Sequence, residues 1–117
     1  MDSLLPLPDQ STLRKALAEP VSIVLKHSPI CGVSSAAHRE VQRFATAHRD
    51  VPCYVVNVFT ARSIARQMAA DTGIAHASPQ AFLFRNGRTE WVASHYQVTA
   101  EALEEAMGKN ATGKGSK

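Results

Sequence analysis

The chain has 117 residues, 44% of them hydrophobic, with 13 Lys plus Arg against 10 Asp plus Glu and two cysteines. That length supports one modest domain and not two, and the apolar run at residues 21–25 is far short of the roughly 20 residues a membrane helix needs. Lys109, Lys114 and Lys117 lie in the Gly-rich end of the chain, which leaves residues 1–108 with ten cations and ten anions, so the basic face that nucleic-acid binding requires is not expected.

Residues 1–10 read as an irregular lead-in. Asp2 stands where a signal peptide carries cations, and Pro6 and Pro8 break the short apolar run at residues 4–7, so a cytoplasmic protein is expected, with both cysteines resting as thiols. Residues 11–19 form a short helix with Leu13, Ala16 and Leu17 on one side, ended by Pro20. Residues 21–26 are β-branched and nearly all apolar, which suits a strand covered on both faces. From 33 to 48 the residues Val33, Ala37, Val41, Phe44 and Ala45 recur at spacings of three and four, the signature of an amphipathic helix.

A second buried strand spans 53–58 and a second amphipathic helix 61–72, with Gly73 as its C-cap. Strand, helix, strand in that order favours a parallel pair with a right-handed crossover. After Pro79, residues 81–84 and 89–93 flank Asn86-Gly87, a strong hairpin signal that makes these two strands antiparallel. Thr99 caps a last helix whose early turns hold Glu101, Glu104 and Glu105, complementing the helix dipole. The elements predict a mixed four-stranded sheet with helices on both faces and a short extra N-terminal helix. Residues 1–108 form the single domain of this reading, and 109–117 a disordered basic tail.

Cys31 falls between the first long strand and the helix after it, where unpaired backbone N–H groups point outward and favour an anion. Such positions favour the thiolate, the nucleophilic form of cysteine. Ser34 follows three residues later in Cys31-Gly32-Val33-Ser34, a Cys-x-x-Cys with its second sulfur replaced by oxygen; residues at i and i+3 share a helix face, so the hydroxyl is placed to serve the sulfur. This motif forms no internal disulfide, so any disulfide of Cys31 is expected with a small thiol or another protein. Cys53, at the start of a buried strand, reads as packing. None of His27, His38, His48, His76 and His95 shows ligand spacing with a cysteine, so no metal site is expected.

Three separated motifs resemble the monothiol bacilliredoxins, small thioredoxin-fold proteins of the bacillithiol system. Their Lys-His-Ser strand end and Cys-Pro-x-Ser are matched by Lys26-His27-Ser28-Pro29-Ile30-Cys31-Gly32-Val33-Ser34, with Gly32 in place of the usual proline. Their His-x-Ser-Pro-Gln loop is matched by His76-Ala77-Ser78-Pro79-Gln80, and their later Trp-x-Ala-Ser-His-aromatic segment by Trp91-Val92-Ala93-Ser94-His95-Tyr96. The resemblance covers residues 12 to 107. It implies a thioredoxin-like fold, Cys31 and Ser34 as catalytic residues, a cis Pro79, and a substrate site formed by Gly32, Val33, His27, His76, Ser78 and Pro79. It also implies a thiol-disulfide oxidoreductase that takes a low-molecular-weight thiol, bacillithiol or another, from mixed disulfides on client proteins, with that thiol as co-substrate and no tightly bound cofactor. Cys-Gly-Val-Ser also approaches the Cys-Gly-Phe-Ser of monothiol glutaredoxins, which bridge a [2Fe-2S] cluster, and a redox-inactive interaction module of the same fold is a third reading.

Overall fold

The computed structural model describes residues 3–115, with side chains described as far as residue 108. Its elements in chain order are β1 (Leu5–Pro6), α1 (Gln10–Ala18), β2 (Val21–His27), α2 (Gly32–Ala47), β3 (Cys53–Asn57), α3 (Arg62–Thr72), β4 (Gln80–Arg85), β5 (Arg88–Ser94), a 3-10 turn at His95–Gln97, and α4 (Ala100–Gly115). The sheet runs β1-β3-β2-β4-β5. β1 and β2 lie parallel to β3, while β4 is antiparallel to β2 and β5 antiparallel to β4.

The sheet has five strands where the sequence predicts four. The extra one is β1, in the stretch expected to be an irregular lead-in: Leu5 pairs with Tyr54 and Pro6 with Val55 at the outer edge. Proline hides this strand from a propensity reading, because it lacks the N–H of a ladder and is confined to edge positions. Part of the segment expected to be a tail, 109–115, lies within the α4 range, and 116–117 fall outside the described residues.

Strand alternation divides the interior in two. Ile23, Leu25, Ala81 and Leu83 face α2 and α4, packing with Ala37, Val41, Phe44 and Leu103. Val24, Tyr54, Val56, Phe82 and Phe84 face the other way, against Leu13 and Ala16 of α1 and Ile64, Ala65 and Met68 of α3. β2 is therefore covered on both sides, and its residues 22–26 are all buried. That matches the continuous apolar run, because a strand between two helical layers has no solvent face to mark with polar residues.

Local chemistry sets the ends of the helices. Asp9 accepts from the Thr12 N–H at 2.9 Å and from its hydroxyl at 2.8 Å, opening α1; these bonds hold the Asp9 carboxyl below its ordinary value. Thr99 accepts from the Ala102 N–H at 3.0 Å, as expected of a cap, and Glu40 of α2 accepts from the Ala100 N–H at 2.9 Å, tying the start of α4 to the helix beside it. Gly73 closes α3 in the left-handed region.

The β4–β5 turn places Asn86 at φ 54° and Gly87 at φ 80°, both positive as a type I′ turn demands. A Cβ at Gly87 would also come within 3.2 Å of the Leu17 carbonyl oxygen. Gly87→Ala is expected to lower unfolding stability by about 1 to 2 kcal/mol, read from denaturant midpoints at unchanged slope.

Candidate active site

Because β2 ends where β4 begins and β5 ends, three connections meet at one end of the sheet. Lys26 of β2 pairs with Gln80 of β4, which pairs with Ser94 of β5. Just beyond that row lie residues 28–31 after β2, Ser78 and Pro79 before β4, and the 3-10 turn after β5. Two contacts bind the connections to one another: the Ser28 and Ser78 hydroxyls lie 2.7 Å apart, and the His95 N–H donates to the Pro79 carbonyl at 3.1 Å. The Ser78–Pro79 bond is cis, as the family resemblance implies.

Cys31 is the N-cap residue of α2 and half-buried. Its N–H donates to the Ser28 carbonyl at 3.1 Å, closing a tight turn, and its carbonyl accepts the first helical bond from Ser35 at 2.9 Å. The side chain makes no capping hydrogen bond, so the sulfur is committed to no partner at the end of the helix where the amide N–H groups emerge. Gly32, the first helical residue, is exposed with open space beside it, and Val33 is half-buried in the same turn. Ile30 on one side of Cys31 is 86% exposed, and Tyr96 in the 3-10 turn 75% exposed.

Ser34 occupies a different place from the one its spacing suggests. It is fully buried, and its hydroxyl accepts from the Ser28 N–H at 2.8 Å while lying 2.9 Å from His27 Nδ1. Among the described residues no hydrogen bond joins it to Cys31. The buried hydroxyl is taken up by the Ser28 N–H and His27, so it holds the loop rather than the sulfur.

His27 is half-buried, with its ring centroid 4.7 Å from that of His38. Burial, and secondarily the nearby His38, push its pKa down against a smaller upward pull from Ser34. The neutral imidazole is favoured. His76 is exposed on the connection between α3 and β4, and burial of part of its ring together with the Lys26 charge pushes its pKa down as well.

The residue that sequence reasoning passes over is Lys26. It is fully buried, its Nζ lies 3.2 Å from His76 Nδ1 and 5.5 Å from the centroid of the Phe82 ring, and no carboxylate among the described residues forms a salt bridge with it. Its cross-strand partner Gln80 is also buried and donates to the Ala75 carbonyl at 3.1 Å. A lysine closing an otherwise apolar strand is the available signal, since alternation puts it on the buried face shared with Ser22 and Val24.

Cys53 sits in the core, its Sγ donating to the Val51 carbonyl at 3.4 Å, and burial pushes the thiol up to about 12. It is a packing residue, as its strand position suggests. Among the described residues no group of three or more His, Cys, Asp and Glu side chains is gathered to hold a metal ion, and no helix is long and apolar enough to cross a membrane.

A central β-α-β unit, an antiparallel hairpin, a cis-proline before β4 and a cysteine opening α2 define the thioredoxin fold, and the molecule is similar over most of its length to solved structures of that fold. One, described as an oxidoreductase with a thioredoxin fold, is 28% identical with a TM-score of 0.86, covering 90% of this chain and 94% of the other. A thioredoxin from Trypanosoma brucei brucei is 12% identical with a TM-score of 0.76, covering 93% and 91%, and a mutant thioredoxin from Halobacterium salinarum is 17% identical at 0.74, covering 92% and 91%. The last two speak for the fold alone. Residues 6–103 match the family described as monothiol bacilliredoxin BrxC, and the chain belongs to that family of thiol oxidoreductases.

Burial pushes the Lys26 pKa from 10.5 down to about 8. The folded protein therefore binds fewer protons than the unfolded chain between about pH 8 and pH 10.5, so this residue's contribution to stability rises with pH across that window; below it the buried ammonium costs on the order of 3 kcal/mol. Lys26→Met is expected to raise stability at pH 7 by about 1 to 3 kcal/mol, with the advantage shrinking from pH 8 to pH 10.5 in denaturant unfolding.

Proposed function

We propose that this protein removes a low-molecular-weight thiol, bacillithiol by family, from mixed disulfides on client proteins, with Cys31 as the sole exchanging sulfur. The observation that carries the reading is the inequality of the two cysteines. Cys31 opens a helix at the surface with an uncommitted sulfur, whereas Cys53 is buried and held protonated. A protein with one usable sulfur completes exchange through a second molecule, not through an internal disulfide.

The reaction takes two steps. The Cys31 thiolate attacks the small-thiol sulfur of the mixed disulfide; the new bond forms to Cys31 as the client sulfur leaves as a thiolate and takes a proton from water. A second small-thiol thiolate then attacks the small-thiol sulfur of the adduct, and Cys31 departs with the electron pair of the broken bond. The products are a reduced client, the small-thiol disulfide and the regenerated Cys31 thiolate. The amide dipoles opening α2 favour negative charge on the sulfur in both steps.

Ser34 serves this chemistry as a positioning residue. By gripping the Ser28 N–H and His27 it fixes the turn from which Cys31 projects. The backbone of Ser78 and the ring of Pro79 form the opposite wall, on which an extended client segment aligns by strand addition. Gly32 and Val33 border the sulfur without crowding it. The unit that carries the activity is residues 1–108, working in the reducing cytoplasm, where both cysteines remain thiols.

Cys31→Ala is expected to lower the rate of small-thiol removal by about hundredfold or more, while Cys53→Ala stays within about threefold of the parent. The measurement is mass spectrometry of a client carrying a bacillithiol or glutathione mixed disulfide. Survival of turnover in the Cys31 variant, or its loss in the Cys53 variant alone, overturns the assignment.

A further inference from the structure

Lys26 is a buried ammonium with three donors, one aromatic face nearby and one hydrogen-bond partner, the Nδ1 of His76 at 3.2 Å. A protonated amine only donates, so the Nδ1 it meets is the acceptor nitrogen and the neutral ring must carry its proton on Nε2. His76 is exposed, and no hydrogen bond among the described residues engages its Nε2. The pair therefore presents an N–H donor to solvent with a full positive charge behind it.

The place of this donor is fixed as firmly as its tautomer. Lys26 and Gln80 are register partners at the end of the sheet, and each grips the same loop, Lys26 at His76 and Gln80 at Ala75. His76 stands two residues before Ser78, two Cα steps of about 3.8 Å each, and the Ser78 hydroxyl touches Ser28 in the loop that carries Cys31. The Gln80 Oε1 is buried without a partner, so polar capacity at this end of the sheet goes unused inside the protein. An unpaired buried charge is costly, and here it lies under the loop that carries His76 and leads to Ser78.

We propose that Lys26 and His76 form an anion seat at the end of the sheet where the Cys31 loop lies, in which Lys26 is a positioning residue that fixes the His76 Nε2–H to donate to a carboxylate of the small thiol. The inference rests on the exchange reaction assigned to Cys31 above and names the substrate feature that site selects. Both residues lie in motifs of the sequence, 50 positions apart, and only the folded chain brings them together.

The test uses the full chain and three symmetrical disulfides of similar size: dithiodipropionate, which is anionic, hydroxyethyl disulfide, which is neutral, and cystamine, which is cationic. The parent protein is expected to show the lowest KM for dithiodipropionate. Lys26→Met and His76→Ala are each expected to raise that KM about tenfold more than they raise the KM for hydroxyethyl disulfide, and the double variant to lose no more than either single one. Nitrogen-15 NMR of the imidazoles is expected to show His76 as the Nε2–H tautomer in the parent and a loss of that preference in Lys26→Met. Equal losses for all three disulfides, an unchanged KM, an Nδ1–H tautomer in the parent, or a preference seen only for client proteins with acidic segments overturns the proposal. Cys31→Ala separates the two readings. If hydroxyethyl disulfide turnover survives in that variant, the exchange mechanism fails; if turnover is lost but the parent shows no anion preference, the anion seat alone fails.

Discussion

The arrangement at the active end of the molecule hangs on the Ser34 hydroxyl. One buried oxygen, in the first turn of α2, takes the N–H of Ser28 and meets Nδ1 of His27. Those two residues are the last of the central strand and the first beyond it. The bond pair fastens the end of the central strand to the start of the helix, so the residues between them have little freedom and Cys31 is delivered to the cap position. A hydrogen bond inside a low-dielectric interior is stronger than at the surface, and leaving the Ser28 N–H unmatched there is expensive. The serine standing where a Cys-x-x-Cys would hold its second sulfur is thus a structural clasp as much as a missing nucleophile.

That clasp shapes the chemistry by exclusion. With oxygen at position 34 and the other sulfur enclosed in the core, the protein has no internal route to resolve an adduct on Cys31. Any choice among partners under the proposed function then falls to the loops that meet at this end of the sheet, which hold the cis Pro79, the exposed Ile30 and Tyr96 and the Lys26–His76 pair.

Much of this is legible in the chain. The two apolar strands, the spacing of Val41, Phe44 and Ala45, the Asn86-Gly87 turn and the Thr99 cap each express a local rule, and local rules are enough for the layers and the pairing of the central strands. β1 is not legible, because two residues that include a proline make no periodic pattern, and only Tyr54 and Val55 across the gap make them a strand. Within the site, Cys31 and the 78–79 loop are visible as motifs. The partners of Ser34 are not, since they lie at the strand end and in the loop before the helix, and spacing within the helix does not name them. Lys26 reads as part of a strand, and what distinguishes it, burial without a carboxylate, is a property of tertiary packing that no window of sequence contains.

The proline in β1 has a bearing beyond the strand it ends. An open sheet offers its outermost backbone groups as a template for any passing extended chain, so exposed flanks risk gathering chains indiscriminately. Here the β1 flank is only two residues long and one of them has no amide hydrogen to give. The opposite flank, β5, begins with exposed Arg88, Thr89 and Glu90. Both borders thereby discourage indiscriminate pairing.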